Sequence, residues 1–247
     1  MSETNGREIS NNTPLAGKVA LVTGGSRGIG RAIALRLAEL GSHVAICGRN
    51  EAKLMETNAA ILALGARGMT VRADVTQPSD VVKLVETVEA ELEPISLLVN
   101  NAGIGVFGPV HEKTEAEWDE LMNTNVKSVF LVSRVVIPGM IERGGGDIIN
   151  ISSLAGKSVF AGGGIYCASK WAVQGLSGCM AEELREHGIR VSTVCPGSVA
   201  TEFAGRGPKD ATKVLRPEDV AHAVAMIAMQ GPQSFMSEVH VRPSRRA

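Results

Sequence analysis

Aromatic side chains are scarce in this chain of 247 residues, at 3% of the total with one tyrosine, two tryptophans and five phenylalanines. Aliphatic and small residues must therefore supply most of the core, a composition that favours buried parallel strands covered by helices. An excess of charge of one sign is also absent, since 25 Lys and Arg nearly balance 26 Asp and Glu. A balanced chain generates no strong overall field, so nucleic-acid binding and attachment to a membrane surface are not favoured.

Long apolar runs and closely spaced cysteines are lacking as well. No run approaches the roughly 18 residues of a membrane span, and the polar segment 1–13 has no apolar core of a secretory signal. The four cysteines, Cys47, Cys167, Cys179 and Cys195, include no Cys-x-x-Cys pair. We therefore expect reduced structural thiols in a cytoplasmic protein. The five histidines have no ligand spacing, so we predict no metal site.

Strand and helix patterns alternate along the chain. Residues 1–16 are rich in Asn, Ser, Thr and Glu, and we predict a disordered tail there. From residue 17 onward, short Val- and Ile-rich runs alternate with amphipathic helical patterns, and no linker or repeat interrupts them. Repeated strand–helix units predict an α/β fold with a parallel, doubly wound sheet, and residues 17–247 as a single domain.

A glycine-rich turn follows the first predicted strand, Lys18 to Val22, and leads directly into a helix. Gly24, Gly28 and Gly30 form this turn. Glycines let an anion approach the main chain, and the amides at a helix start point outward, so the arrangement suits a pyrophosphate. A glycine turn alone is a weak indication, but here the strand before it and the helix after it supply the expected context.

The second predicted strand, Val44 to Cys47, ends without an acidic residue. In dinucleotide-binding folds an acidic side chain at this point binds the ribose hydroxyls of NAD. Here Arg49 stands at the strand end, and Arg27 lies in the glycine turn. Two guanidinium groups near one ribose suit a 2′-phosphate, which predicts NADP. The alternative interpretation is two solvated surface arginines.

Tyr166 precedes Lys170 by four residues, so in a helix the two side chains lie on one face. An ammonium beside a phenol favours the phenolate and lowers the phenol pKa, which makes Tyr166 a candidate general acid or base. Ser153 lies thirteen residues upstream, after an apolar strand, where its hydroxyl could hold a substrate oxygen in front of the phenol. The alternative is that Tyr166 and Lys170 are merely neighbours on a helix.

Taken together, these features resemble the short-chain dehydrogenase/reductase family over about residues 17–242. The resemblance rests on Thr23-Gly-x-x-x-Gly-x-Gly30, Asp74, Asn100-Asn-Ala-Gly103, Asn125, Ser153, Tyr166-x-x-x-Lys170 and Pro196-Gly197, in the family's order and spacing. Chance agreement of so many elements is far less expected than chance agreement of one. The resemblance implies a single-domain Rossmann fold with about seven parallel strands.

The resemblance implies a catalytic set of four residues, which are Asn125, Ser153, Tyr166 and Lys170. Ser153 would hold the carbonyl oxygen of the substrate, and Tyr166 would donate or accept the proton. Lys170 would bond the nicotinamide ribose while its charge lowers the Tyr166 pKa. Asn125 would position a water that connects Lys170 to solvent, although without the family it could simply bond backbone in a helix.

The resemblance also implies how NADP(H) binds. Asp74 and Val75 would contact the adenine, and the peptide after Pro196, together with Thr201, would anchor the nicotinamide carboxamide. By spacing alone Asp74 could equally be a turn residue and Thr201 a surface hydroxyl. The predicted cofactor-binding residues are Gly24, Ser26, Arg27, Gly28, Ile29, Gly30, Arg49, Asp74, Val75, Asn101, Ala102, Gly103, Tyr166, Lys170, Pro196, Gly197, Val199 and Thr201.

The implied function is NADP-dependent oxidoreduction between a ketone and a secondary alcohol by hydride transfer, with Tyr166 as general acid/base. A 3-oxoacyl-thioester reductase is the alternative within the class. A non-catalytic NADP-binding regulator is the alternative outside it, and the intact catalytic set argues against this one. The chain departs from the family pattern after Thr201 and at its last strand, so the substrate stays open.

Apolar residues predominate among those predicted to line the substrate pocket, which favours an uncharged ketone. They are Val106, Phe107, Leu154, Ala155, Val159 and Phe160, with Lys157, Arg206, Lys209 and Lys213 predicted on the rim. Small residues on the Tyr166 helix, namely Ala172, Gly175, Gly178 and Ala181, permit close approach of a second helix. The resemblance suggests a homotetramer or homodimer paired through this helix and its predecessor; the alternative is an internal packing face.

Overall fold

Seven parallel strands and seven α-helices alternate along the chain, in a computed structural model that describes residues 13–203 and 213–245. The strands are β1 (Val19–Thr23), β2 (His43–Gly48), β3 (Gly68–Arg72), β4 (Leu97–Asn100), β5 (Gly146–Ile151), β6 (Ile189–Pro196) and β7 (Glu238–Val241). The helices are α1 (Gly28–Glu39), α2 (Glu51–Ala63), α3 (Pro78–Glu91), α4 (Glu115–Met122), α5 (Ser128–Glu142), α6 (Gly164–Leu184) and α7 (Pro217–Ala228). The predicted α/β fold is confirmed.

The strands form one sheet in the order β3-β2-β1-β4-β5-β6-β7, and every pair is parallel. β1 and β4 are buried along their full lengths, as expected for strands covered on both faces. One apolar core packs α1, α2 and α7 against the sheet, and a second packs α3, α5 and α6 against the other face. Strands that are covered by helices on both faces appear in the sequence as continuous aliphatic runs.

The strand order reverses at β1, which lies between β2 and β4. The chain leaves β1 and β4 on opposite sides of this point, so a crevice opens beyond their carboxyl ends. Leu21 pairs with both Ala45 and Leu98, which aligns the ends of the three strands. The glycine turn after β1 and the Asn101 loop after β4 therefore meet at the crevice.

The packed domain includes residues before the predicted boundary at residue 17. Leu15 is 1% exposed, and its amide donates to the carbonyl of Leu40 at 3.0 Å. Residues 13–16 therefore belong to the domain, because this apolar side chain packs beneath the end of α1, and the predicted tail is too long by these four residues. The remainder of that tail, residues 1–12, lies outside the described residues.

One helical stretch is an exception to the expectation that no segment could span a membrane. Glu115–Glu142 comprises α4, a π-helical turn at Asn123–Lys127 and α5. By length and composition alone, this stretch could cross a membrane. In the fold 44% of its most apolar part is buried, and α5 packs against β4, β5 and α3. A partly buried core helix passes the same test of length and composition as a membrane span.

Candidate active site

The glycine turn after β1 is fixed by hydrogen bonds from the end of β4. Thr23 Oγ1 accepts from the amides of Asn101 and Ala102, each at 3.0 Å, and Asn101 Nδ2 donates to the Thr23 carbonyl at 2.9 Å. Gly24 and Gly28 have φ of +65° and +55°, a region that side-chain-bearing residues rarely adopt. Thr23 was quoted in the motif but not predicted as a site residue, and its role follows from contacts with a distant strand.

The start of α1 is available to an anion. Within the described chain Arg27 at the N-cap supplies no side-chain hydrogen bond to the first turn, so amides there keep their capacity to donate. A Cβ at Gly30 would collide with the Gly24 carbonyl oxygen and the Asn101 side chain, so only glycine allows this close packing. Ser26 lies in the same turn, and Ile29 lies in the first turn of α1.

Two of the residues predicted to bind the adenosine, Arg49 and Asp74, line the same pocket. A surface pocket of about 370 Å³ is lined by Arg49, Arg72, Ala73, Asp74 and Asp80. The Asp74 carboxylate accepts from the amide and hydroxyl of Thr76 at 3.0 and 2.8 Å, so its side chain is also a turn residue. The sequence analysis missed Arg72 and Asp80, whose proximity arises from the pairing of β2 with β3 and the start of α3.

Arg27 makes an ion pair that the sequence analysis did not predict. Its Nη1 lies 2.6 Å from Glu202 Oε2, and Lys53 Nζ lies 4.0 Å from the same oxygen. Lys53 lies in the first turn of α2, four residues after Arg49. This closeness in the sequence could have suggested that Lys53 belongs to the same site as Arg49. Glu202 has no such signal beyond its position next to Thr201.

The predicted nicotinamide end runs along the end of β6. The amide of Gly197, after Pro196, donates to the Val241 carbonyl at 2.8 Å, and Val199 forms an isolated bridge with Leu215. The Thr201 methyl lies 3.4 Å from where a Cβ would stand on Gly28. Residues 196–201 therefore cross from β6 to the glycine turn. Gly103 lies nearby, next to the Asn125 and Lys170 side chains, and Val75 is buried after β3.

Tyr166 lies near the start of α6, 8% exposed, with aromatic rings packed against it. The ring centroids of Phe107 and Phe203 lie 5.1 and 6.0 Å away, both in edge-to-face geometry. Burial raises the pKa of Tyr166, and this outweighs a hydrogen bond with Ser153, which lowers the pKa. The expectation that Lys170 lowers the Tyr166 pKa is therefore not met in this structure. Its ammonium lies 5.9 Å from the ring centroid.

Lys170 is buried and donates from Nζ to the Ile151 carbonyl at 3.0 Å. Burial lowers the pKa of its ammonium from 10.5 to about 8. Desolvation penalises the charged form, and a single carbonyl contact compensates only part of it. Lys170 is therefore a buried cation that can gain or lose its proton near neutral pH.

Asn125 lies in the π-helical turn between α4 and α5, a local geometry that is frequent at functional sites. Its Oδ1 accepts from the Ile104 amide at 2.8 Å, and its Nδ2 donates to the Ile104 carbonyl and to Ser169 Oγ, each at 3.0 Å. Ser169 Oγ in turn donates to the Tyr166 carbonyl at 2.8 Å. The Asn125 side chain thus ties the loop after β4 to α6, through the backbone of a loop residue and the side chain of Ser169.

The predicted substrate pocket is only partly assembled from the residues expected. Val106 and Phe107 pack with Ala155 around Tyr166, and the centroid of the Phe160 ring lies 6.1 Å from that of Phe107, whereas Val159 is 78% exposed. Phe203 was missed, and it contacts Tyr166 because the chain after Thr201 returns across the crevice. The remaining predicted residue, Leu154, lies next to Gly197.

The predicted positive rim needs one correction. Lys157 forms an ion pair with Glu238 at 2.5 Å, because β7 lies beside the turn that carries it, and so it is not an open rim charge. Arg206 and Lys209 lie outside the described residues.

Cys195, Glu238 and His240 form a cluster whose potential donor atoms lie within 4.8 Å of one another. Pairing of β6 with β7 sets Cys195 opposite His240, a relationship that ligand spacing in the sequence does not reveal. Both carboxylate oxygens of Glu238 are engaged, Oε2 by Lys157 and Oε1 by His240 at 2.6 Å. We interpret the cluster as an ion-pair network. All four cysteines are free thiols.

The strand order and the crevice at the end of β1 are those of a Rossmann-type fold. A sequence model of the family described as short chain dehydrogenase matches residues 18–211. The chain belongs to the short-chain dehydrogenase/reductase family.

Similar proteins within this family carry different activities. Gluconate 5-dehydrogenase of Gluconobacter oxydans is 40% identical over 192 residues, covering 78% of this chain and 75% of that protein. Glycine betaine reductase of Emericella nidulans is 35% identical over 240 residues and covers 93% of this chain, but the chain spans only 19% of that protein's length. A metagenomic short-chain oxidoreductase, solved in complex with NADP, is 43% identical with a TM-score of 0.83, covering 94% of this chain and 100% of that one.

Proposed function

We propose that the protein is an NADP(H)-dependent oxidoreductase that interconverts an uncharged, largely apolar ketone and its secondary alcohol. The observation that carries this proposal is the position of Tyr166. Its phenol is hydrogen-bonded with Ser153, one helical turn from Lys170, at the crevice that the glycine turn also lines. A proton donor and an oxygen clamp beside a nucleotide cradle are what reduction of a carbonyl requires.

When bound in the crevice, NADPH would supply the hydride that the carbonyl carbon accepts. Ser153 donates a hydrogen bond to the carbonyl oxygen, and Tyr166 transfers its proton to that oxygen as negative charge develops there. Because burial raises the Tyr166 pKa, the phenol stays protonated at neutral pH and is ready to donate. The buried Lys170 ammonium, one turn further along α6, stabilises the tyrosinate that forms, and the proton is restored from solvent. Asn125 keeps α6 fixed against the loop after β4.

NADP(H) is proposed over NAD(H) because of the charges at the adenosine end. Arg49 lines the pocket beyond β2, and Arg27 stands at the start of α1. Guanidinium groups bind a phosphate with paired hydrogen bonds, whereas the acidic residue that would bind free ribose hydroxyls is missing from this strand end. The NADP bound in the similar metagenomic oxidoreductase supports the same choice.

The substrate class is proposed from the walls around Tyr166. Phe107 and Phe203 pack against its ring, and Ile104 and Val106 adjoin the same cluster. Apolar walls with one polar point favour an uncharged ketone. The names of the relatives do not transfer here, since gluconate and glycine betaine are both carboxylates. A positively charged rim would favour an acyl thioester whose carrier bears a phosphate. Lys157 does not contribute to such a rim, because it is paired with Glu238.

We also propose that the protein assembles through α5 and α6, as a homodimer or homotetramer in the cytoplasm. Phe130 on α5 and Trp171 on α6 are 46% and 49% exposed. A Cβ on Gly175 or Gly178 would meet no described atom within 4 Å, so a second helix can approach there. Large exposed apolar side chains beside small residues favour helix pairing across a symmetry axis.

The test of the proposed reaction is a substrate panel in which NADPH oxidation is followed by absorbance. The panel contains neutral ketones and aldehydes, β-ketoacyl thioesters and free 2-oxo acids. We expect neutral ketones to have the highest kcat/KM and thioesters to follow. Turnover of a free 2-oxo acid far above both would contradict the pocket assignment, and no turnover of any carbonyl, with NADPH still bound, would favour the regulator.

A further inference from the structure

Glu202 is seated between two cations that come from different elements. Its Oε2 lies 2.6 Å from Arg27 Nη1, at the start of α1, and 4.0 Å from Lys53 Nζ, in the first turn of α2. Hydrogen bonding to Arg27 and the nearby Lys53 charge lower the pKa of Glu202, so the carboxylate is ionised at neutral pH. One anionic oxygen is thus shared by two cations at the mouth of the nucleotide crevice.

The chain that carries Glu202 is held on both sides of it. Thr201 lies against Gly28, and the Phe203 ring lies against Tyr166, with its edge next to Gly105. The Phe203 amide also donates to Thr201 Oγ1 at 3.3 Å. These contacts direct Glu202 toward α1 and α2, so the ion pair follows from the path of the chain across the crevice.

We propose that Arg27 and Lys53 form an anion-binding site. In the free protein the Glu202 carboxylate occupies this site, and the 2′-phosphate of NADP(H) displaces it on binding. This inference rests on the proposed NADP dependence and adds two residues to it. Lys53 becomes a phosphate ligand, and Glu202 becomes an internal competitor that must leave before the phosphate binds. NAD(H), which has no 2′-phosphate, cannot displace the carboxylate in this way.

Charge and solvent exposure determine whether the Glu202 carboxylate or the 2′-phosphate binds Arg27 and Lys53. The side chains of Arg27, Lys53 and Glu202 are 59%, 45% and 74% exposed, so solvent screens the ion pair and it is weak. A phosphate carries more charge than a carboxylate and three acceptor oxygens instead of two. The phosphate therefore displaces Glu202 readily, and the competition reduces its affinity only modestly.

The test measures nucleotide binding by calorimetry, without substrate or turnover, using adenosine 2′,5′-bisphosphate and 5′-AMP as probes. Glu202→Gln removes the competing charge, and its affinity for the bisphosphate should rise by about two- to fivefold, the range expected for an exposed ion pair. Lys53→Ala should lower that affinity by roughly three- to tenfold. Binding of 5′-AMP should change in neither variant.

The matched control is Glu56→Gln, which removes an exposed carboxylate from the same helix as Lys53. If Glu56→Gln raises the bisphosphate affinity as much as Glu202→Gln, general charge explains the effect and the inference is wrong. It is also wrong if the wild type binds the bisphosphate more tightly than 5′-AMP while both site variants leave that affinity unchanged. Equal wild-type binding of both probes would instead overturn the proposed NADP preference on which the inference rests.

Discussion

The ammonium of Lys170 lies 5.9 Å from the centroid of the Tyr166 ring, one turn further along the same face of α6. It does not bond the phenol but donates to the Ile151 carbonyl at 3.0 Å. Both groups are buried, and burial raises the Tyr166 pKa while it lowers the Lys170 pKa to about 8. Burial thus favours the neutral form of both groups, so the phenol stays protonated at neutral pH while the lysine can lose its proton near pH 8.

Lys170→Met should stabilise the fold while it abolishes turnover. A fall in the Lys170 pKa from 10.5 to about 8 corresponds to on the order of 3 kcal/mol of unfavourable free energy in the charged form. The variant also loses the hydrogen bond to the Ile151 carbonyl, which destabilises it by about 1 kcal/mol and offsets part of the gain. We expect the free energy of unfolding at neutral pH, measured with urea, to rise by about 1–2 kcal/mol.

The pH dependence of that gain has a definite sign. The folded protein disfavours the Lys170 proton, so the penalty is complete below pH 8 and disappears as pH rises toward 10.5. The stability of the wild type should therefore approach that of Lys170→Met over this interval. A Lys170→Met protein that is less stable than the wild type at neutral pH would show that the ammonium supports the fold.

Tyr166 can be titrated alone, because the chain contains one tyrosine. Its tyrosinate absorbance should appear above the ordinary pKa of 10 in the cofactor-free protein, since burial raises the value. Ser153→Ala should move the titration higher still, because the Ser153 hydrogen bond lowers the pKa. Tyr166→Phe provides the spectroscopic blank. A wild-type titration well below 10 would restore the original expectation that a nearby ammonium dominates.

The sequence predicted those features that local patterns determine. The aliphatic runs of β1 and β4 and the glycines of the turn between β1 and α1 have the predicted structures, because neighbours along the chain fix them. The direction of the Tyr166 pKa was wrong, because it depends on burial by Phe107 and Phe203 from distant loops. The Arg27–Glu202 pair joins residues 175 positions apart, and no periodicity could have indicated it.

Gly178→Leu should dissociate the oligomer without unfolding the subunit. A Cβ at this position meets no described atom within 4 Å, so a side chain can extend from the helix without a clash at its first atom. Replacing glycine within a helix also improves helix propensity, by up to about 1 kcal/mol. Light scattering should give a multimer mass for the wild type and a lower mass for the variant, with an equal or higher Tm.

A control for this experiment is Glu56→Leu, an exposed position on α2. It should keep the wild-type mass. A wild type that is monomeric at micromolar concentration would leave α6 as an exposed face of a single subunit and end the assembly proposal.

Arg49→Ala should erode the preference for NADPH. Arg49 lines the adenosine pocket, and a charge-assisted hydrogen bond to a phosphate contributes about 1.5–3 kcal/mol. The ratio of kcat/KM for NADPH over NADH should therefore fall by roughly ten- to a hundredfold. Arg36→Ala, at an exposed arginine paired with Glu39 on α1, should leave the ratio unchanged. Equal efficiency with both cofactors in the wild type would contradict the NADP assignment.

The most direct measurement is the turnover of Tyr166→Phe beside its affinity for NADPH. Phenylalanine keeps the ring that packs against Phe107 and Phe203 and removes only the hydroxyl. Loss of a general acid costs at least ~10²-fold in rate, so kcat with the best ketone of the panel should fall by that much or more. The Kd for NADPH should stay within about threefold of the wild type, a difference below 1 kcal/mol. A variant that binds NADPH normally and turns over ketone within a few-fold of the wild type would show that Tyr166 is not the proton donor.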